Sequence, residues 1–294
     1  MTRESKEKKI RLFFLMMGFF CIFIMAMIIV FLFIEGFPLF KEIKIHDFLF
    51  GKYWYPTYDP ADFGILALIV GSLLVTIISG SIAVPLGLMT AIYIAEVANE
   101  KVSEFVKPLI ELLASIPSVV IGFFGMVIVA PFLQEIFNIS SGLNIFNASL
   151  MLAFMSVPTI CSLSEDAIKA VPSSLKEASL GLGATHFETI VRVIIPSALS
   201  GISTSVILGM SRAMGETMVV LMVAGGAAMI PGSIFDPVRP MPASIAAEMG
   251  EAPVGSEHYH ALFAIGFVLF LFTLLFNLMA AWISNRFKQR ETGF

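Results

Sequence analysis

Six long stretches of the chain are almost continuously apolar, and the segments between them collect charge, proline and glycine. The stretches run approximately over 10–34, 63–95, 109–133, 148–163, 198–230 and 261–283. Crossing about 30 Å of hydrocarbon takes about 20 apolar residues in a helix, which satisfies its own backbone, whereas a barrel strand alternates over about ten residues. Continuous runs therefore predict an all-α membrane protein with six transmembrane helices. The second and fifth exceed one perpendicular crossing, so tilt, a break or a cytoplasmic extension is expected, with Pro85 and Gly87 marking where the second could break. The fourth is short and is interrupted by Pro158.

Arg3, Lys6, Lys8, Lys9 and Arg11 precede or open the first run, as basic residues do in a secretory signal. A signal has an apolar region of about 7–15 residues and a small-residue cleavage site. This run is longer and ends in Glu35-Gly36-Phe37-Pro38, so an uncleaved helix is expected. The other basic residues then set an orientation, because cytoplasmic loops are rich in Lys and Arg. One set of alternating segments holds those five together with Lys101, Lys107, Lys169, Lys176, Arg192, Arg286, Lys288 and Arg290, while the other holds Lys41, Lys44, Lys52 and Arg239. Both termini are expected in the cytoplasm, in one transmembrane domain covering 1–294.

Composition agrees with the pattern and closes other readings. The chain is 57% hydrophobic and 14% charged, against about 45–50% and about 25% in globular domains, with a mean hydropathy of +0.91. A net charge of −4 gives no footprint for a nucleic-acid backbone. Cys21 and Cys161 lie in or beside apolar runs and read as small core hydrophobes. Gly51-Lys52 lacks the upstream glycine and the following hydroxyl of a nucleotide-binding phosphate loop, so the chain is not expected to hydrolyse ATP itself. Glu257-His258-Tyr259-His260 lacks metal-ligand spacing and reads as solvated loop, and no nucleophile–base pair is recognisable in the runs. No metal or cofactor is therefore expected on this chain. Two long loops, 35–62 and 231–260, carry acidic, aromatic and proline residues such as Tyr53-Trp54-Tyr55-Pro56, suited to a docking surface or to interfacial anchoring.

The segment 165–196 is more ordered than a linker requires. Pro172-Ser173-Ser174 supplies a turn and an N-cap, Leu175 to Leu180 favours a short helix, and Gly181 and Gly183 end it. Phe187 to Pro196 then reads as a second short amphipathic piece re-entering the membrane. Such a helix suits either docking into a groove or a plain structural elbow. Here the register resembles that of binding-protein-dependent ABC importer permeases: Glu177-Ala178-Ser179, three residues, Gly183, nine residues, then Val193-Ile194-Ile195-Pro196. Ser179 stands where the motif has a second alanine. The resemblance implies a type I importer fold in which about 177–187 is a coupling helix seated on a separate ATPase, with Glu177, Ala178 and Gly183 as its motif residues.

Leu113-Ala114-Ser115-Ile116-Pro117-Ser118 through Gly125, and Ser211-Arg212-Ala213-Met214-Gly215-Glu216-Thr217-Met218, resemble signatures of phosphate importer permeases. Met218 after Gly-Glu-Thr is similar to the PstC type, where the PstA type continues Ala-Pro-Leu. The resemblance implies inorganic phosphate as cargo, a PstA-type permease as second half of the pathway, a PstB-type ATPase dimer carrying ATP and magnesium, and an external PstS-type binding protein. It leaves open a neighbouring oxyanion, sulfate or molybdate, and a self-sufficient secondary transporter would leave the coupling motif without a purpose.

Gly201, Ser205, Gly209, Ala213 and Thr217 recur every four residues, a small-residue stripe that lets another helix approach. Arg212 and Glu216 flank it. Facing lipid, the two would cost roughly 5–7 kcal/mol, so protein or water should surround them. Two readings remain open: an i,i+4 ion pair that locks helices, or a guanidinium offered to an oxyanion on a pathway, with Glu216 orienting it or competing for it and Thr217 beside them.

Overall fold

The computed structural model describes residues 3–291, and six of its helical segments are long and apolar enough to cross a membrane: Ile10–Lys41, Leu66–Val97, Ser118–Phe137, Ile145–Lys169, His186–Met214 and Glu257–Met279. The basic side chains of Arg3, Lys6, Lys8, Lys9, Arg286, Lys288 and Arg290 lie outside the described residues.

Helix α1 (Arg3–Gly36) is exposed over nearly its whole length and meets the rest of the molecule at its far end. A 3-10 turn (Phe37–Lys41), α2 (Ile45–Phe50) and a two-stranded antiparallel hairpin follow, β1 (Trp54–Tyr55) against β2 (Asp62–Phe63), with Trp54 opposite Phe63. Helix α3 (Leu66–Ile92) passes through Pro85 without the expected break and is prolonged by a π turn, Tyr93–Val97. Membrane helices tolerate proline when neighbours hold the segment. The neighbour here is so close that a Cβ on Gly87 would come within 2.9 Å of Ile160 Cγ2.

The expected third helix, 109–133, divides. Its first residues belong to α4 (Glu100–Ala114), which has no buried residue and is capped by Asn99, whose side chain accepts from the Val102 amide. The chain turns at Ser115-Ile116-Pro117, where Ser115 Oγ donates to the Leu112 carbonyl at 2.7 Å and Pro117 is extended and has no N–H to offer. The crossing itself is α5 (Ser118–Phe124), a π turn (Gly125–Val129) and α6 (Ala130–Phe137), closed by Asn138 in the left-handed region.

Helix α7 (Ile145–Lys169) is longer at both ends than the expected 148–163 and continuous through Pro158. Its polar last turns read as loop, yet Glu165 is buried there between Lys107 Nζ of α4 at 3.0 Å and Lys169 Nζ at 2.7 Å. At the other end Asn144 caps the helix, and Asn147 donates to the carbonyls of Gly125, 3.0 Å, and Gly142, 2.9 Å. The Gly125 carbonyl already accepts the Ala130 amide of the π turn, so the bond from Asn147 is a second one and ties that turn to the start of α7.

The chain continues as α8 (Ser173–Gly181), α9 (His186–Thr189), a π turn (Ile190–Ile194), α10 (Ile195–Met214), α11 (Met218–Val223), α12 (Met241–Glu248) and α13 (Glu257–Glu291). The expected fifth helix, 198–230, is therefore broken. It starts earlier, stops at Met214 and resumes at Met218, and from Ala224 the chain folds back so that Val238 N donates to the Ala224 carbonyl at 2.8 Å. Of the three alternatives for an overlong run, the second follows extension and the fifth follows a break.

Helices α3, α7 and α10 form the centre. The small-residue stripe faces α7: a Cβ on Gly209 would lie 2.5 Å from Ile160 Cγ1, one on Gly201 2.5 Å from Ala167 Cβ, and Ser205 Oγ meets Ser164 Oγ at 2.5 Å. Successive crossings place α2, the hairpin and α12 at one end of the molecule, the hairpin end, and α4, α8 and α9 at the other, the α8 end.

Candidate functional site

Three groups of residues stand out, one at mid-depth and one at each end. Arg212 lies in the last turn of α10, where a cation meets the negative end of the helix dipole favourably. Its Nη1 donates to Thr159 Oγ1 at 3.2 Å, and Thr159 is near the middle of α7, so the guanidinium sits at about half the depth of the bundle. Its side chain is exposed in this chain. Thr159 carries no charge, so the cation is hydrogen-bonded but not neutralised.

Glu216 and Thr217 occupy the gap between α10 and α11, both half-buried. The i,i+4 ion pair needs a helix running through Glu216, and the helix ends two residues before it. Among the described residues no ion pair joins Arg212 to Glu216. Thr217 Oγ1 is turned back to the Gly215 carbonyl at 3.3 Å, and Ser211 Oγ reaches Asn277 Oδ1 of α13 at 3.3 Å. The result is a polar group of residues where two helix ends meet at mid-depth on an exposed face of the bundle.

At the α8 end, Glu177 and Ala178 are exposed on α8. Pro172, not a serine, occupies the N-cap position and makes no side-chain cap bond, so Ser173 is the first helical residue. Gly183 has φ +90, a conformation that side chains rarely adopt, and it turns the chain towards α9, which carries a reciprocal capping box between Thr185 and Glu188. Around this turn Leu182 is 91% exposed and Phe187 73%. The turn between α8 and α9 therefore presents an apolar, exposed tip. Two contacts anchor its other face: Lys176 Nζ with Glu96 Oε2 at 2.5 Å, and Ser179 Oγ with Thr189 Oγ1 at 3.0 Å.

At the hairpin end, Glu248 gathers three partners from three segments. Trp54 Nε1 donates to both carboxylate oxygens at 3.1 and 2.9 Å, His258 Nε2 lies 2.8 Å from Oε2, and Arg239 pairs with Oε1. Arg239 Nε also donates to the Gly226 carbonyl at 2.7 Å, and His260 Nδ1 lies 2.7 Å from the Glu35 carbonyl. His258 and His260 are thus part-buried fasteners at the start of α13, in place of the solvated loop residues expected from sequence.

Sequence reasoning missed Thr159, Glu96, Glu165 and Glu248. The first sits in the run weakened by Pro158 and is uncharged. The carboxylates lie at helix ends or in loops, where a charge ordinarily reads as solvated.

A relative named Probable ABC transporter permease protein YqgH, from Bacillus subtilis, is 39% identical over 82% of this chain and 78% of its own length. Proteins named Phosphate transport system permease protein PstC are 36% identical in Mesorhizobium japonicum, over 83% of this chain and 80% of that one, and 33% identical in Haemophilus influenzae, over 83% and 82%. Among solved structures, a chain of a bacterial alginate ABC transporter superposes with a TM-score of 0.65 at 16% identity, covering 97% of this chain and 98% of that one. A chain of the MetNI methionine ABC transporter, in an inward-facing conformation, gives 0.59 at 20% identity, covering 74% and 93%; at these identities both speak to the fold. A family model described as binding-protein-dependent transport system inner membrane component matches residues 83–289, and the chain belongs to that family.

Proposed function

We propose that this chain is one transmembrane half of an ATP-driven importer of inorganic phosphate, placed in a cell membrane with the α8 end and both termini in the cytoplasm. The single observation that carries the reading is the cation at the helix break: Arg212, at mid-depth, exposed, and held by the neutral hydroxyl of Thr159. An un-neutralised guanidinium in a membrane span belongs beside water or an anion, and its fork matches a tetrahedral oxyanion in two places at once. Glu216 and Thr217 border the same gap. A nearby carboxylate keeps the site from becoming a trap, because conduction requires binding weak enough to release. The sequence relatives named for phosphate transport support the cargo.

The second half of the pathway would be a PstA-type permease lying against the exposed face that carries Arg212. Glu177, Ala178 and the turn at Gly183 would seat in a PstB-type ATPase dimer, which carries the ATP and magnesium. A PstS-type binding protein would deliver phosphate at the hairpin end. Transport follows as alternating access, with ATPase closure moving α8 and reopening the permease pair towards the binding protein.

The test is phosphate uptake by the reconstituted complex with and without Arg212→Ala. Loss of uptake with intact assembly and intact ATP hydrolysis is expected. Unchanged uptake would remove Arg212 from the pathway, and stronger competition by sulfate or molybdate than by unlabelled phosphate would reassign the cargo.

A further inference from the structure

At the start of α5, Ser118 carries a hydroxyl that its own helix cannot use. Elsewhere in the spans a hydroxyl turns back to the carbonyl four residues earlier, as Thr76 does to Ser72, Thr90 to Leu86 and Thr204 to Ser200. Ser118 is the first helical residue after the extended Pro117, so no carbonyl of its helix lies behind it. It is half-buried, and its side chain has no hydrogen-bond partner among the described residues. A polar group withdrawn from water without a partner is costly, so such a hydroxyl marks a place that water or a solute completes.

The register of α5 shows what this hydroxyl faces. Ser118, Gly122 and Gly125 share one face of the helix, at i, i+4 and i+7. On that face α11 runs parallel to α5. A Cβ on Gly122 would lie 3.3 Å from Val219 Cα and 2.8 Å from Met222 Sδ, and one on Gly125 2.8 Å from Val223 Cγ1. One turn earlier along both segments, Ser118 comes level with Gly215-Glu216-Thr217, the gap between α10 and α11. Ile116, in the turn before Ser118, packs against the cluster that holds Ala213 and Met155. The first of these adjoins Arg212 and the second stands one turn from Thr159. Two interrupted helices thus meet at the gap, one bringing Arg212, Glu216 and Thr217, the other Ser118.

We propose that Ser118 is a further residue of the solute pathway, its hydroxyl donating to one oxygen of the phosphate held at Arg212, an inference that rests on the transport reading. The fit is chemical as well as positional. The anion offers acceptors, and Arg212 and Ser118 both present donors. Phosphate near neutral pH also keeps a proton. The Glu216 carboxylate, with no hydrogen-bond or ion-pair partner among the described residues, is an acceptor for it, so the acid completes the set instead of only repelling the anion.

The experiment compares Ser118→Ala, Ser118→Val and Ser118→Thr in the reconstituted complex, reading phosphate uptake, ATP hydrolysis and melting temperature. Valine and threonine are both β-branched and differ in the hydroxyl. Uptake should fall about tenfold with alanine and with valine, as for a lost hydrogen bond to a charged group, and threonine should keep most of it. The valine and threonine complexes should melt together. Unchanged uptake with alanine and valine, or a loss as large with threonine as with valine, would overturn the proposal. A valine complex that melts below the threonine one would overturn it too, because the hydroxyl would then be structural. Arg212→Ala, measured alongside, keeps the two readings apart. Loss of uptake there with none in Ser118→Ala removes Ser118 alone, whereas a Ser118→Ala loss that threonine avoids, beside an unaffected Arg212→Ala, removes the cation from the pathway and keeps Ser118.

Discussion

Lys176 on α8 and Glu96 in the π turn that ends α3 approach to 2.5 Å, with the carboxylate side chain 9% exposed and the lysine 35%. The short helix that meets the ATPase in the proposed assembly is thereby tied by charge to one of the three central helices. An isolated surface pair contributes little, but a carboxylate this deep loses far more when its partner is removed.

Reversing either member, Lys176→Glu or Glu96→Lys, should lower phosphate uptake per ATP hydrolysed, and the double reversal should recover part of it. A coupling between the two sites of about 0.5–3 kcal/mol is expected. Additive effects of the two substitutions, measured in reconstituted vesicles, would show that α8 moves independently of α3.

Arg212→Lys separates charge from geometry. A hydrogen bond to a charged group is worth about 1.5–3 kcal/mol, so Arg212→Ala should cost uptake roughly 10- to 100-fold. Lysine keeps the charge but not the planar fork, and uptake should fall between the two. If lysine restored the full rate, two-point recognition of the anion would be the wrong account.

Gly209→Ala should destabilise the chain by about 1–3 kcal/mol, because the new Cβ would stand 2.5 Å from Ile160 Cγ1. Adding Ile160→Ala removes the clashing atoms and should bring back part of the melting temperature in detergent. No rescue would mean that the stripe is not held against α7 at that point.

The Lys107 ammonium is held above the usual lysine range, first by its hydrogen bond to Glu165, against the opposing pull of burial. A raised pKa means that this contribution is complete below about pH 10.5 and is lost as pH rises through the higher folded value. Melting temperatures should show no loss from this group between pH 6 and 9. Above about pH 10.5 they should fall, and Lys107→Met should lack that alkaline component.

Glu248→Gln should loosen the hairpin end. Trp54 would keep an acceptor, but Arg239 would lose its anionic partner in a half-buried setting. In a Trp282→Phe background Trp54 is the remaining tryptophan, and its emission should shift to longer wavelength as water reaches the ring.

The number of crossings and the turn at Gly183 were legible in the sequence because both are local. Twenty apolar residues demand a helix wherever they occur, and a glycine pair ends a short one. The fate of the two overlong runs was not legible: Pro85 sits inside an intact helix whose other face α7 holds at Gly87, whereas Gly215 ends one, although neither residue differs in kind from a helix breaker. Pro117 was overlooked as the boundary between an interfacial helix and a crossing, since both sides are apolar. Arg212 and Glu216 were found because a charge in lipid is costly, but pairing them required a helix that the structure does not continue. Buried Glu165 and half-buried Glu248 look on paper like any solvated acid. Only the third dimension supplies the cations that pair with them.

The meeting of α10 and α11 leaves carbonyls at the end of one helix and amides at the start of another without helical partners, at a depth where lipid can satisfy neither. An orphan copy of this chain would expose that seam, together with Arg212, to acyl chains. Its residence in a membrane is therefore conditional. Produced without its companions the chain should be short-lived, its half-life in cells lengthening once the proposed second permease is co-expressed, so that the gap proposed as the pathway would also make the assembly all-or-none.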